Sequence, residues 1–121
     1  MSLVVIHSRL SIAILLYVII LCIWSFWRYI RKSGVNGNFW GSLVTIEILI
    51  LIQGALGGIL YFGGLQPERG GMHILYGVFG ALGLPAVYLF TKGRNDPRVI
   101  FVYSVMLFFI AGIFFRSIAT G

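Results

Sequence analysis

The sequence holds one cysteine, three acidic residues and two histidines in 121 positions. Each scarcity excludes something. The single thiol, Cys22, can form neither a disulfide within the chain nor a thiolate metal site, and its place inside an apolar run reads as a small buried side chain. Charged residues make up only 10% of the chain and hydrophobic ones 60%, with a mean hydropathy of +1.01. That balance lies outside soluble globular composition and marks an integral membrane protein of one domain. No internal repeat, low-complexity tract or linker breaks the 121 residues, and no stretch is left for a soluble domain.

Acids are scarce while bases are not: nine Lys and Arg stand against three Asp and Glu. In a soluble protein this excess would point to nucleic acid. Here the basic residues fall mostly in two short clusters between apolar runs, which is a signal of membrane topology and not of a nucleic-acid surface. The first apolar run, about 3–27, is far longer than the roughly 7–15 residues of a signal-peptide core. It is therefore expected to stay as the first helix. RYIRKSGVNGN follows, with Arg28, Arg31, Lys32 and a Gly/Asn turn, bordered by Trp24, Trp27, Tyr29 and Trp40 as an aromatic belt.

About 20 apolar residues are needed to cross some 30 Å of hydrocarbon. By that measure three more helices are predicted, at about 39–62, 72–90 and 99–115, separated by LQPERGG and by the second basic loop, TKGRNDPR, and followed by a short polar tail. Six positive charges (28, 31, 32, 92, 94, 98) lie in the first and third loops and three (9, 69, 116) on the other side. The positive-inside rule then places both termini outside. The expected fold is an all-α, up-down-up-down bundle of four transmembrane helices, in a bacterial or archaeal plasma membrane.

In this topology His7 and His73 fall in the first turns of helices 1 and 3, at the same depth on diagonal partners. Two imidazoles so placed can face each other with room between them for a flat macrocycle, as bis-histidine ligands of a haem iron with no open position for substrate. Magnesium of the chlorophyll type, which takes a single axial histidine, fits a pair less well. The competing reading is two separate interfacial histidines making ordinary hydrogen bonds.

Around the pair, Arg9, Arg69 and Arg116 fall at the same end and are candidates to bind haem propionates through charge-assisted forks; the alternative is snorkelling to the interface. Gly77, with Gly80 and Gly83 in helix 3 and Gly54, Gly57 and Gly58 in helix 2, offers backbone that a bulky cofactor or a neighbouring helix can approach. Glu47 is the one acid inside an apolar run, about 12 Å in from the start of helix 2. An intramembrane carboxyl is costly when charged, which makes Glu47 a candidate proton- or quinone-site residue, or else a side chain reaching back to the basic loops.

From His7 to Leu89 the chain resembles one half of a haem A synthase, a membrane enzyme of two four-helix haem-binding halves. The residues that carry the resemblance are His7 with nearby Arg9, the run Gln53-Gly54-Ala55-Leu56-Gly57-Gly58, Gly64-Leu65 and His73, which follows His7 by 66 positions. The resemblance implies a haem-binding bundle with His7 and His73 as ligands. It departs from the family at Val4, where the catalytic half has an acid, at Ser8, which separates His7 from Arg9, and in lacking the outer cysteine pair and a second half. These departures argue against synthase chemistry. The reading is thus a small b-type cytochrome carrying haem b near the outer face, for electron transfer or as a haem-carrying subunit of a respiratory or photosynthetic complex, with a homo-oligomer or larger assembly in the lipid as its setting. The alternatives are a cofactor-free packing subunit, a synthase-like half acting as a dimer, and a small four-helix exporter.

Overall fold

The computed structural model describes residues 3–64 and 70–120, with side chains for all of these except 70–72, 119 and 120. Four helices account for most of them: α1 (Leu3–Ile30), α2 (Gly37–Phe62), α3 (Gly70–Thr91) and α4 (Pro97–Thr120), with no strand among the described residues. Each contains a span long and apolar enough to cross a membrane, so the chain is an integral membrane protein.

The helices outrun the apolar runs that predict them. α1 continues through Arg28 to Ile30, and α4 continues through the segment expected to be a polar tail, as far as Thr120. A backbone leaving hydrocarbon keeps its internal hydrogen bonds until water can replace them, so a helix ends in the interface and not where hydrophobicity stops. The 28 residues of α1 span about 42 Å, against about 30 Å of hydrocarbon. Its C-terminal end accordingly carries interfacial chemistry, with Arg28 over the Trp24 ring and Arg31, just past the helix, over that of Trp27, at 5.7 and 5.1 Å.

Local chemistry sets the ends. Asn36 caps α2, its side-chain oxygen accepting from Phe39 N at 2.8 Å. α1 closes where Lys32 turns left-handed (φ 56°) and Ser33 N donates to Arg28 O; α3 closes the same way at Lys92 (φ 54°) and Gly93 (φ 70°), with Gly93 N donating to Tyr88 O. These five-residue returns satisfy carbonyls that the helix leaves open.

α1 packs most heavily on α4 and α4 next on α3, while α2 joins α1 and, least closely, α3. Among the described residues neither α1 and α3 nor α2 and α4 approach each other through the backbone, so the helices occupy four corners with α1 and α3 across a diagonal. Lipid is as apolar as leucine, and such contacts depend on close fit and internal hydrogen bonds. Both are present. Ile14, Val18, Phe39, Ile46, Ile100, Tyr103, Leu107 and Ile110 are almost completely buried between the helices. Ser25 and Ser104, also fully buried, pair at 2.5 Å across the α1–α4 contact, and Ser104 donates to Ile100 O. On α3, Gly80 and Gly83 lie against Phe114, Met106 and Ile110 of α4, so closely that a Cβ at Gly83 would sit 2.9 Å from the Met106 sulfur. For these two glycines helix packing is the explanation.

The two basic loops dock at one end of the bundle, where Val35 N donates to Asn95 O at 2.8 Å and Arg28 holds the Gly34 carbonyl. The first turns of α1 and α3 come together elsewhere, through their histidines.

Candidate functional site

His7 is the fifth residue of α1 and His73 the fourth of α3. Although these helices make no backbone contact among the described residues, the two imidazoles meet across the diagonal with ring centroids 6.3 Å apart and planes inclined by 64°. A metal bonded to one nitrogen of each ring at about 2 Å, with about 1.2 Å from nitrogen to ring centre, sets the centroids roughly 6 Å apart. The observed centroid spacing is compatible with that distance, as it is with an edge-on contact between two rings.

Each histidine is held from outside the pair, His7 by its backbone and His73 by its ring. Gln53, buried on α2, donates through Nε2 to the His7 carbonyl at 2.8 Å and to Ser11 Oγ, and Ser11 Oγ itself donates to the His7 carbonyl at 3.0 Å. This ties the first turns of α1 to the middle of α2. On the other side, Ser117 Oγ of α4 lies 3.4 Å from His73 Nδ1. A partner on one ring nitrogen fixes which nitrogen is left for a metal. His7 Nδ1 is buried and has no hydrogen-bond partner, and the same is true of Gln53 Oε1.

The glycines divide by what faces them. A Cβ on Gly57 would lie 3.2 Å from His7 Cε1 and 3.8 Å from its Nε2, so the bare backbone of α2 is what lets this edge of the ring sit where it does. Gly77 lies one turn beyond His73, and no atom comes within 4 Å of where its Cβ would be; Gly54 and Gly58 are equally open. Beside the His7 ring, therefore, α2 presents bare backbone at Gly57. A flat macrocycle needs that kind of surface.

The arginines are less closely engaged. Arg116 is exposed and immediately precedes Ser117. Arg9 is exposed too, and at two residues from His7 it is turned about 200° around α1. Arg69 lies outside the described residues. No group of three or more His, Cys, Asp or Glu side chains comes together among the described residues. Of the described acids, Asp96 belongs to a basic loop and Glu47 to the first half of α2. The donor set at the histidines is two imidazoles without carboxylate oxygen, which suits a tetrapyrrole metal and does not suit a hard cation such as calcium or magnesium.

No family model, curated protein or solved structure matches this chain. The resemblance to haem A synthase halves therefore rests on the quoted motif residues alone. Within that motif the geometry gives two positions a physical role: Gln53 holds the first turns of α1, and Gly57 clears space for the His7 ring.

Ser11, Ser117 and the holding role of Gln53 are absent from the sequence reading. Ser11 had a usable signal, since it follows His7 by four residues and so shares its helix face. Gln53 and Gly57 are likewise one turn apart. Ser117 had none, because it falls in the segment expected to lie beyond the helix. Glu47 takes no part in this arrangement and lines a separate cleft with Trp40, Tyr88 and Tyr103.

Proposed function

We propose that this chain is a small membrane cytochrome of the b type, with His7 and His73 as the two axial ligands of one haem. The observation that carries this is the 6.3 Å spacing of two imidazoles brought together from helices whose described backbones do not approach each other. When bound, the haem supplies one-electron exchange at a six-coordinate iron, with no position left for a substrate. The protein's own part is to hold the rings. Gln53 and Ser11 anchor the backbone of His7, Ser117 engages His73, and Gly57 of α2 leaves the His7 ring the room that a side chain would take. Arg116, beside Ser117, is the arginine best situated to meet a propionate, with Arg9 and Arg69 as further cations of the same end.

The bundle runs up-down-up-down with both termini outside, which puts the haem near the outer face. Supporting this are the docking of the two basic loops on each other and the six positive charges that they carry. The exposed phenylalanines of α4, among them Phe101, Phe108 and Phe115 at seven-residue spacing, form a stripe suited to a second copy or to a larger respiratory or photosynthetic complex in a bacterial or archaeal plasma membrane.

The test is the visible spectrum of the detergent-purified protein, oxidised and dithionite-reduced, beside that of a His7→Ala/His73→Ala variant. A sharp reduced α-band that disappears in the variant is expected. A colourless, folded wild type purified with haem supplied would instead leave the ring contact as simple packing and the chain as a cofactor-free subunit.

A further inference from the structure

Between α2 and α3, the least closely packed of the contacting helix pairs, lies a cleft of about 620 Å³ in the half of the bundle nearer the basic loops. On α2 the lining residues Trp40, Leu43, Val44, Glu47 and Ile48 follow helical spacing and form one stripe. Facing them are Leu84, Pro85 and Tyr88 of α3, with Tyr103 of α4 at the back. Val44 and Ile48 are about half exposed, so the cleft opens sideways, toward lipid.

Two polar atoms in this lining are unsatisfied. Glu47 Oε1 and Tyr103 Oη are both buried without a hydrogen-bond partner, and Tyr103 as a whole is only 1% exposed. Thr91 neighbours the phenol but falls short of hydrogen-bond geometry, and its own hydroxyl donates to Val87 O at 2.8 Å. A buried polar group with no partner is destabilising, and two in one lining call for a common partner. The phenol is a fixed feature of the site: its ring lies 6.2 Å from that of Phe39 and 6.0 Å from that of Trp40, and Trp40 in turn lies 5.4 Å from Tyr88.

The lining constrains what could enter. No basic side chain faces the cleft, so an anion has no counter-charge. A lipid acyl chain would leave both oxygens unpaired, and a lone carboxylate does not hold a metal ion. A lipophilic cation would answer Glu47 but would give the Tyr103 hydroxyl no acceptor. A flat apolar ring that carries an oxygen at each of two positions answers all of the lining at once.

We propose that the α2–α3 cleft binds the head ring of a membrane-soluble quinol, entering from the bilayer. One ring hydroxyl donates to Glu47, the Tyr103 hydroxyl donates to the other ring oxygen, and Trp40 and Tyr88 flank the ring plane. Glu47 and Gly57 are ten residues apart, about 15 Å along α2. The cleft is thus distinct from the histidine pair, and the binding proposal stands whether or not the haem reading does.

Titration calorimetry of the purified protein in detergent with decylubiquinol, kept anaerobic, tests it. Saturable binding of one molecule per chain is expected. Glu47→Gln and Tyr103→Phe, both close in shape to the native side chains, should each weaken binding about tenfold, and Val44→Trp, at the lipid edge, should abolish it. Circular dichroism shows that the variants fold, and the haem spectrum, if present, should not change. Heats that do not saturate, or equal affinity in all four proteins, would overturn the proposal. So would tetraphenylphosphonium binding in preference to the quinol and losing its affinity only in Glu47→Gln, which would reassign the cleft to lipophilic cations.

Discussion

Gly57 is the residue on which the histidine pair depends most sterically. Its position allows no side chain without moving His7, whereas Gly54, three residues earlier, faces open space. Gly57→Val is therefore expected to lower haem occupancy severalfold, measured as haem per protein after purification, while Gly54→Ala leaves it unchanged. Gln53→Leu keeps the volume but removes the donor to the His7 carbonyl and to Ser11. Losses of supporting contacts around a metal ligand commonly cost 10–100-fold in affinity, and a drop near the lower figure is expected here because Gln53 holds the His7 backbone and not its ring. Haem titration into the purified apoprotein checks this; unchanged affinity would mean that α1 is positioned without Gln53. Both histidines were legible in the sequence as a matched pair, because depth along a helix can be counted from its first residue. Their supports were less legible, since a contact such as Gln53 to Ser11 depends on the relative rotation and offset of two helices, and neither quantity is written in either segment.

For whole helices, existence was easier to read than extent or packing. Four apolar runs gave four helices, yet α4 runs five residues past the predicted 115 and thereby delivers Ser117 to His73. Hydropathy registers only the apolar part of a helix, and a helix end in the interface leaves no such mark. The glycines of α3 show the same limit. Their three-residue spacing is visible in the sequence, but only the packing shows that Gly80 and Gly83 face α4 while Gly77 faces open space. The Ser25–Ser104 bond, by contrast, is not legible in the sequence, since a lone serine in an apolar run has no pattern. Interhelical hydrogen bonds in membranes contribute about 0.6 kcal/mol on average and up to about 1.7. Because both serines are fully buried and Ser104 also engages Ile100 O, Ser25→Ala is expected near 1 kcal/mol, with the double variant Ser25→Ala/Ser104→Ala little worse than either single one. Denaturation in mixed micelles, run as a double-mutant cycle, checks this; additive losses would mean that the two hydroxyls act independently.

For the whole molecule, orientation in the membrane turns on charge. The loop between α1 and α2 and that between α3 and α4 touch through Val35 and Asn95, so whatever side one occupies the other shares, and together they hold six of the nine Lys and Arg. Transferring this end across a membrane would cost far more than transferring the other, which carries three. With the only native cysteine, Cys22, buried and replaced by serine, single cysteines can report on each end. Asn38, at the start of α2, and Ile118, near the end of α4, are both exposed and lie at opposite ends of their bundle-spanning helices. On intact cells a membrane-impermeant maleimide is expected to label Ile118→Cys and to spare Asn38→Cys until the membrane is opened. That result would put the histidine pair toward the outer face, in reach of an electron partner outside the cytoplasm, and the α2–α3 cleft in the inner half of the bilayer. The reverse labelling would turn the whole assignment over while leaving the contact between the two histidines intact.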